Sequence, residues 1–352
     1  METVHRVYFK NSSDMCDLES DSIDLMITSP PYPMIEMWDS LFSSLNDEIR
    51  QALEENDGKR AFNLMHNDLN KVWKEVARVL KLGGIACINI GDATRKIGEN
   101  FQLFPNHVKI TNFYQNNNFI ELPCILWRKP TNSPNKFLGS GMLPPNAYIT
   151  LEHEYILIFR KGNIKRDIQP KSENRYHSAF FWEERNKWFS DIWEGIRGIS
   201  QNLNKNSVTQ KKLRERSAAY PLELPYRLIN MFSLYEDTIL DPFWGTGTTS
   251  LAAMISARNS IGYEINSEFI KLFKRSIKNL KELNNEINKN RLNQHIEFVK
   301  RYWKDVKDIK YSSVRYKFPV ITKQETDILL YSIKNYSEEE DKFILNYEKL
   351  EF

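Results

Sequence analysis

This 352-residue chain holds little that would cross-link it. Its three cysteines, Cys16, Cys87 and Cys124, show neither paired nor metal-ligand spacing, which argues against a disulfide scaffold and suits a reducing cytoplasm. No apolar run is long enough to cross a bilayer, and the N-terminus lacks a signal-peptide pattern. No repeat recurs at solenoid periods. An excess of one charge is missing too: a net +3 is only mildly basic, so total charge makes no case for nucleic-acid binding. What remains is a chain with 41% hydrophobic residues, long enough for one large α/β domain and a smaller lobe.

The most informative stretch is Thr28-Ser29-Pro30-Pro31-Tyr32. It follows Ile23-Asp24-Leu25-Met26-Ile27, which reads as a buried strand, and open α/β sheets place ligands at strand ends. The prolines remove backbone donors and hold the turn in one shape. Such a turn presents a carbonyl and a hydroxyl in fixed directions beside an aromatic face. A planar base with an exocyclic amine needs that set of groups.

A second signal lies far along the chain. Thr238-Ile239-Leu240 reads as a strand, followed by Asp241-Pro242-Phe243-Trp244-Gly245-Thr246-Gly247-Thr248-Thr249 and a helix from Ser250 to Ile255. Ser260-Ile261-Gly262-Tyr263-Glu264 is a further strand ending in an acid. Glycines permit close backbone approach, a helix N-terminus offers unpaired N–H groups to a carboxylate, and an acid about twenty residues on meets ribose hydroxyls. The loop lacks the Lys-Ser/Thr ending of a phosphate-binding loop and the third glycine of the dinucleotide fingerprint, so a phosphate cradle is the weaker reading.

Together the two motifs resemble the amino-group DNA methyltransferases that use S-adenosylmethionine (AdoMet). Their order, Ser-Pro-Pro-Tyr first and Phe-x-Gly-x-Gly last, looks like the circularly permuted β group. The likeness spans most of residues 4 to 275. Arg78 to Asp92, Ile125 to Pro130, His153 to Lys161, Ser190 to Trp193 and Ala218 to Ile229 resemble further motifs in the same order. The resemblance implies a Rossmann-like α/β methyltransferase fold with a small target-recognition lobe. It places catalysis on Ser29, Pro30, Pro31 and Tyr32, and AdoMet on Asp241, Pro242, Phe243, Gly245, Gly247, Thr248 and Glu264. Relatives often carry Gly-Asp before the Ser-Pro-Pro-Tyr strand, the acid meeting the cofactor adenine. Here Ser12 stands in that place, leaving Asn11, Ser12 or a backbone group as the adenine's partner. Serine rather than Asp or Asn before Pro-Pro-Tyr points to cytosine N4, with adenine N6 as the alternative. Pairing with a restriction endonuclease and a double-stranded DNA substrate follow from the same likeness.

Residues 1–161 read as the catalytic part, with a mostly helical insertion at about 36–66 over the mouth of the site. Residues 217–300 read as the AdoMet-binding part, including a long polar helix at 268–300. For 301–352 the default is a charged helical extension without assigned chemistry. Residues 131–147 form a long Pro/Gly/Asn/Ser loop of the kind that is functional or disordered. Residues 162–216 read as the target-recognition region. From 160 to 216 there are 14 Lys/Arg against 7 Asp/Glu, a local balance of 14 − 7 = +7, with aromatics interleaved. Basic groups neutralise phosphates, and planar side chains stack on bases. Arg175, Arg185, Lys187, Arg197, Lys211, Lys212, Arg214 and Arg216 are the candidate DNA contacts, and several of the aromatics are expected in a local core.

Three places read both ways. Cys124 follows Pro123 as in ring-carbon cytosine methylases, but it sits in a strand-like segment without a Glu-Asn-Val partner motif, so a buried structural thiol is expected. His153-Glu154 has no second histidine at helical spacing and reads as structural, with His153 as a minor candidate for the base pocket. Trp244 either covers the adenine or sulfonium region or belongs to the core.

Overall fold

A computed structural model describes residues 1–129, 138–196, 220–305, 310–340 and 342–352. The chain begins with β1 (Glu2–Tyr8) and β2 (Ile23–Thr28). After three helices come β3 (Leu80–Ile90) and the hairpin of β4 (Ala93–Ile97) and β5 (Asn100–Phe104). Next are β6 (Phe119–Arg128), a short hairpin of β7 (Leu138–Gly139) and β8 (Ala147–Tyr148), β9 (His153–Lys161) and β10 (Ile192–Trp193). The glycine-loop region supplies β11 (Thr238–Asp241) and β12 (Asn259–Tyr263). The C-terminal part adds β13 (Tyr311–Ser312), β14 (Pro319–Val320), β15 (Tyr331–Glu339) and β16 (Lys342–Lys349).

Ten of these strands form one mixed sheet in the order β10-β6-β9-β3-β2-β11-β12-β1-β16-β15. The five central strands, from β3 to β1, are parallel, and β9 and β16 flank them antiparallel. The sequence explains this division. All six residues of β2 are buried, as a central strand covered on both faces requires. Leu25 and Ile27 point into one core with Trp244, Ala252 and Phe273, whereas Ile23 and Met26 point into the other with Trp73, Val76 and Ile88. Helices therefore cover both faces, as expected of a wound α/β sheet.

Three boundaries differ from the sequence reading. The helical cover comprises Asp39–Leu45, Asp47–Glu54 and Gly58–Val79, so the last helix runs through position 66 instead of ending there. The stretch 268–300 divides into Phe269–Ile277 and Leu280–Asp305. Among the described residues beyond Asp305 the C-terminal segment is largely strand rather than a helical extension: β15 and β16 form a hairpin, and β16 joins the main sheet at β1. Phe343, Leu345 and Tyr347 alternate inward along β16, a period-2 pattern that outweighs the charged blocks around it. Of the stretch 131–147, residues 131–137 lie outside the described residues, and β7 pairs with β8 beyond them. Among the described residues no helix is long and apolar enough to cross a membrane.

Candidate active site

Residues 213 positions apart meet where β2 and β11 end. These strands are parallel neighbours, with Ile239 opposite Leu25 and Leu240 opposite Met26. Their following turns therefore emerge side by side at the C-terminal edge of the sheet, where open α/β folds bind ligands. A buried carboxylate joins them. Asp241 accepts hydrogen bonds from Thr28 Oγ1 at 2.6 Å, from Thr249 Oγ1 at 2.6 Å and from the Phe243 N–H at 3.1 Å. Burial pushes its carboxyl above the usual range, and the Thr249 and Thr28 hydroxyls oppose that shift.

The two turns open onto one cavity of about 400 Å³. Ser29, Pro30, Pro31 and Tyr32 line one part of it. Asn11, Ser12, Pro242, Phe243, Gly245 and Glu264 line another. Trp38, at the end of the turn Glu36–Trp38, and Phe42, Leu69 and Val72 from the helical cover also line it. Glu264 accepts from the Gly245 N–H at 2.8 Å and from the Asn266 N–H at 2.8 Å. Its carboxyl is raised by burial, against those backbone hydrogen bonds.

Asp241, Gly247 and Thr248 are not among the lining residues. Asp241 is spent on Thr28, Thr249 and the Phe243 N–H, with the Tyr220 hydroxyl a fourth donor at 3.5 Å. Gly247 has φ +79° and caps the helix Thr248–Ile255, and a Cβ there would collide with Phe273 and Trp244. Thr248 is buried in the first turn of that helix. Trp244 proves to be core: it is buried, donates from Nε1 to Ser250 Oγ at 2.9 Å and packs edge-on against Phe273.

Beneath the Ser-Pro-Pro-Tyr turn lies a polar network that sequence reasoning missed. The Tyr32 hydroxyl donates to Glu154 Oε2 at 2.9 Å and accepts from Asn89 Nδ2 at 2.8 Å. Ser29 Oγ lies 3.0 Å from the same phenol oxygen. Asn89 Nδ2 also donates to Glu154 Oε2 at 2.7 Å, and Lys129 Nζ meets Glu154 Oε1 at 2.7 Å. The Tyr32 phenol is held well above its ordinary pKa, first by burial and then by the Glu154 charge. The sequence did carry a signal: Glu154 and Asn89 are polar positions within otherwise apolar strands, and both are buried.

A family described as DNA methylase matches residues 23–275, which include both turns and the network beneath them. The chain belongs to the DNA methylase family. It is 55% identical over 338 residues to the type II methyltransferase M.MthZI of Methanothermobacter thermautotrophicus, covering 96% of this chain and 92% of that one. It is 54% identical over 274 residues to the type II methyltransferase M.MjaI of Methanocaldococcus jannaschii, covering 75% and 88%. Among solved structures, it is similar to a candidate DNA modification methylase of Thermus thermophilus complexed with S-adenosyl-L-methionine. There the TM-score is 0.60 at 28% identity, covering 78% of this chain and 94% of that one. The central sheet of this DNA methylase is thus that of the AdoMet-dependent methyltransferase fold.

The remaining site expectations divide sharply. Arg197, Lys211, Lys212, Arg214 and Arg216 lie outside the described residues. Arg175, Arg185 and Lys187 are exposed. The Arg185 guanidinium lies over the Phe189 ring at 4.2 Å, and Lys187 Nζ is 3.8 Å from Glu223. The interleaved aromatics serve largely as core: Phe181, Trp188 and Trp193 are buried. Two pairs bolt this region of the DNA methylase to the long helix, Glu184 with Arg291 at 2.6 Å and Glu183 with His295 at 2.9 Å. Cys124 lies in β6, away from the cavity lining, and burial raises its thiol pKa, the opposite of what an attacking thiolate needs.

Proposed function

We infer that this DNA methylase transfers a methyl group from S-adenosylmethionine to the exocyclic N4 of cytosine in double-stranded DNA. The observation that carries this reading is the shared cavity: the Ser29-Pro30-Pro31-Tyr32 turn and the Phe243–Gly245 loop face one space of about 400 Å³. That volume lies in the range of small-molecule sites. The lining suits AdoMet. The Glu264 carboxylate is an acceptor for ribose hydroxyls, Phe243, Tyr263 and Phe269 offer apolar surface to a planar base, and Asn11 and Ser12 supply polar groups beside them. The bound donor supplies a sulfonium-activated methyl group.

The chain's own residues then handle the amine. The cytosine N4 lone pair is delocalised into the ring. The Ser29 hydroxyl oxygen and the Pro30 carbonyl accept the two amine hydrogens, which favours a pyramidal nitrogen and localises that lone pair. Tyr32 stacks on the base, which must leave the duplex at a cost of about a few kcal/mol. Positioning of nucleophile and methyl group can contribute roughly 7–11 kcal/mol of barrier reduction. Ser29 in place of Asp or Asn favours cytosine, and adenine N6 is the second reading.

Residues 1–161 and 217–300 form the catalytic and donor-binding parts in this reading, with 162–216 reading the target. The exposed Arg175, Arg185 and Lys187 are its described candidates for phosphate contact. A type II restriction nuclease is the expected functional counterpart, since the named relatives are type II methyltransferases. The test is nucleoside mass spectrometry of DNA treated with wild type and Ser29→Ala. We expect 4-methylcytosine from the wild type, and a large rate loss with AdoMet binding retained in the variant. A 6-methyladenine product without 4-methylcytosine ends the cytosine assignment, and unchanged turnover in the variant removes Ser29 from the mechanism.

A further inference from the structure

The network under the catalytic turn fixes the direction of every hydrogen bond in it. Tyr32 has one hydroxyl hydrogen and three polar neighbours. A carboxylate can only accept, and a charge-assisted bond is the strongest on offer, so the phenol hydrogen goes to Glu154. Asn89 can turn only one way, because its Nδ2 faces Glu154 Oε2 at 2.7 Å and the flipped amide would set two oxygens against each other. That orientation leaves Asn89 Oδ1 buried without a partner, a cost that the network must offset. With its hydrogen committed and Asn89 donating, the Tyr32 oxygen can only accept from Ser29. The Ser29 hydrogen therefore points at Tyr32, and its lone pairs are left for the cavity.

We propose that Glu154, held by Asn89 and Lys129 and acting through Tyr32, sets Ser29 as an acceptor toward the target amine and takes up the proton that methyl transfer leaves behind. This rests on the methyltransferase reading and adds a positioning residue and a proton route to it. A serine hydroxyl alone is a weak base, and its free rotor could equally present a hydrogen to the amine. The carboxylate one phenol away removes both difficulties.

The steps balance. Formation of the N–CH3 bond leaves the nitrogen positively charged with one proton in excess. An N–H bond breaks as that proton joins Ser29 Oγ. The original Ser29 proton moves to the Tyr32 oxygen, and the Tyr32 proton moves to Glu154 Oε2. Each hydroxyl gains and loses one proton, and the carboxylate becomes a carboxylic acid. Glu154 then releases the proton to water beside the Lys129 side chain, which is half exposed. The raised Tyr32 pKa keeps the phenol protonated, as a relay requires.

The test is single-turnover methyl transfer from tritiated AdoMet to chromosomal DNA of a methylase-deficient bacterium. It compares wild type, Glu154→Gln, Glu154→Asp, Ser29→Ala and the Glu154→Gln/Ser29→Ala double variant. We expect Glu154→Gln to slow transfer about 10²-fold, the lower range of acid–base contributions, with AdoMet affinity unchanged. Glu154→Asp recovers part of the rate, and Glu154→Gln has no further effect once Ser29 is alanine. A Glu154→Gln rate equal to wild type overturns the proposal, as does an equal loss in the Ser29→Ala background. Tyr32→Phe guards against a folding defect: it cuts the relay while leaving Glu154, Asn89 and Lys129 together. The same loss is expected there, and an undiminished rate also overturns the proposal. A wild-type protein that methylates no DNA base defeats the methyltransferase reading itself.

Discussion

Asp241 is the point where the two halves of the cavity are fastened, so replacing it should loosen both. In Asp241→Ala, the Phe243 N–H loses its acceptor and cannot turn away, which costs about 1–3 kcal/mol. The Thr28 and Thr249 hydroxyls lose charge-assisted bonds worth about 1.5–3 kcal/mol each. The gross loss is roughly 4–9 kcal/mol, but removing a desolvated charge returns part of it, so a net destabilisation of about 2–4 kcal/mol is expected at pH 8. The sign of the pH dependence follows from the raised pKa. Between the unfolded value of about 3.9 and the raised folded value, the native state binds more protons than the unfolded chain, so the Asp241 contribution falls as pH rises. The gap between wild type and Asp241→Ala should therefore widen as pH is lowered from 8 toward the unfolded value of about 3.9. Urea unfolding at several pH values measures it, with AdoMet titration reporting the loop. A variant as stable as wild type at the low end of that range would refute the fastening role.

His5 gives a second pH signature of opposite sign. It is buried between Thr3 and Ser260, each 2.8 Å from a ring nitrogen, and burial lowers its pKa from 6.5 to about 3. Its contribution is fully present above pH 6.5 and is lost as pH falls toward about 3, amounting to roughly 3 kcal/mol at pH 4. His5→Gln should flatten acid unfolding over that interval; a variant with the same pH slope would count against this. Gly262 lies in β12 under the indole of Trp244, and an added Cβ would collide with that ring. Gly262→Ala should cost about 1–3 kcal/mol and weaken AdoMet binding by shifting the loop, measured by thermal unfolding and calorimetric titration. Unchanged affinity would separate the loop from the strand beneath it.

Local order makes much of this molecule legible. β2 with its Ser-Pro-Pro-Tyr turn, β11 with the glycine loop, and β12 ending before Glu264 follow from apolar runs bounded by Pro, Gly and acid residues. Ser29 to Tyr32, Pro242, Phe243, Gly245 and Glu264 of the cavity lining can be named from those runs, because strand ends and helix starts are local. What escapes is tertiary. Glu154, Asn89 and Tyr32 come from three chain segments, and only the pairing of β3 with β9 brings Asn89 beside Ile156 and places the Glu154 carboxylate within reach of the turn. The Asp241 carboxylate turns onto Thr28, Thr249 and the Phe243 N–H, a direction that motif position does not reveal. The β15–β16 hairpin escapes for another reason: its outward face is so charged that composition hides the inward alternation of Phe343, Leu345 and Tyr347.

The hydrogen bond between Thr28 and Asp241 spans 213 positions, and it sets a timetable. A ribosome needs roughly 10–40 s to lengthen a chain by that amount. Throughout this interval the serine-bearing turn is already synthesised while its glycine-rich counterpart is not. The cavity cannot close in a half-made polypeptide, because its lining is complete only once the chain runs past Phe269.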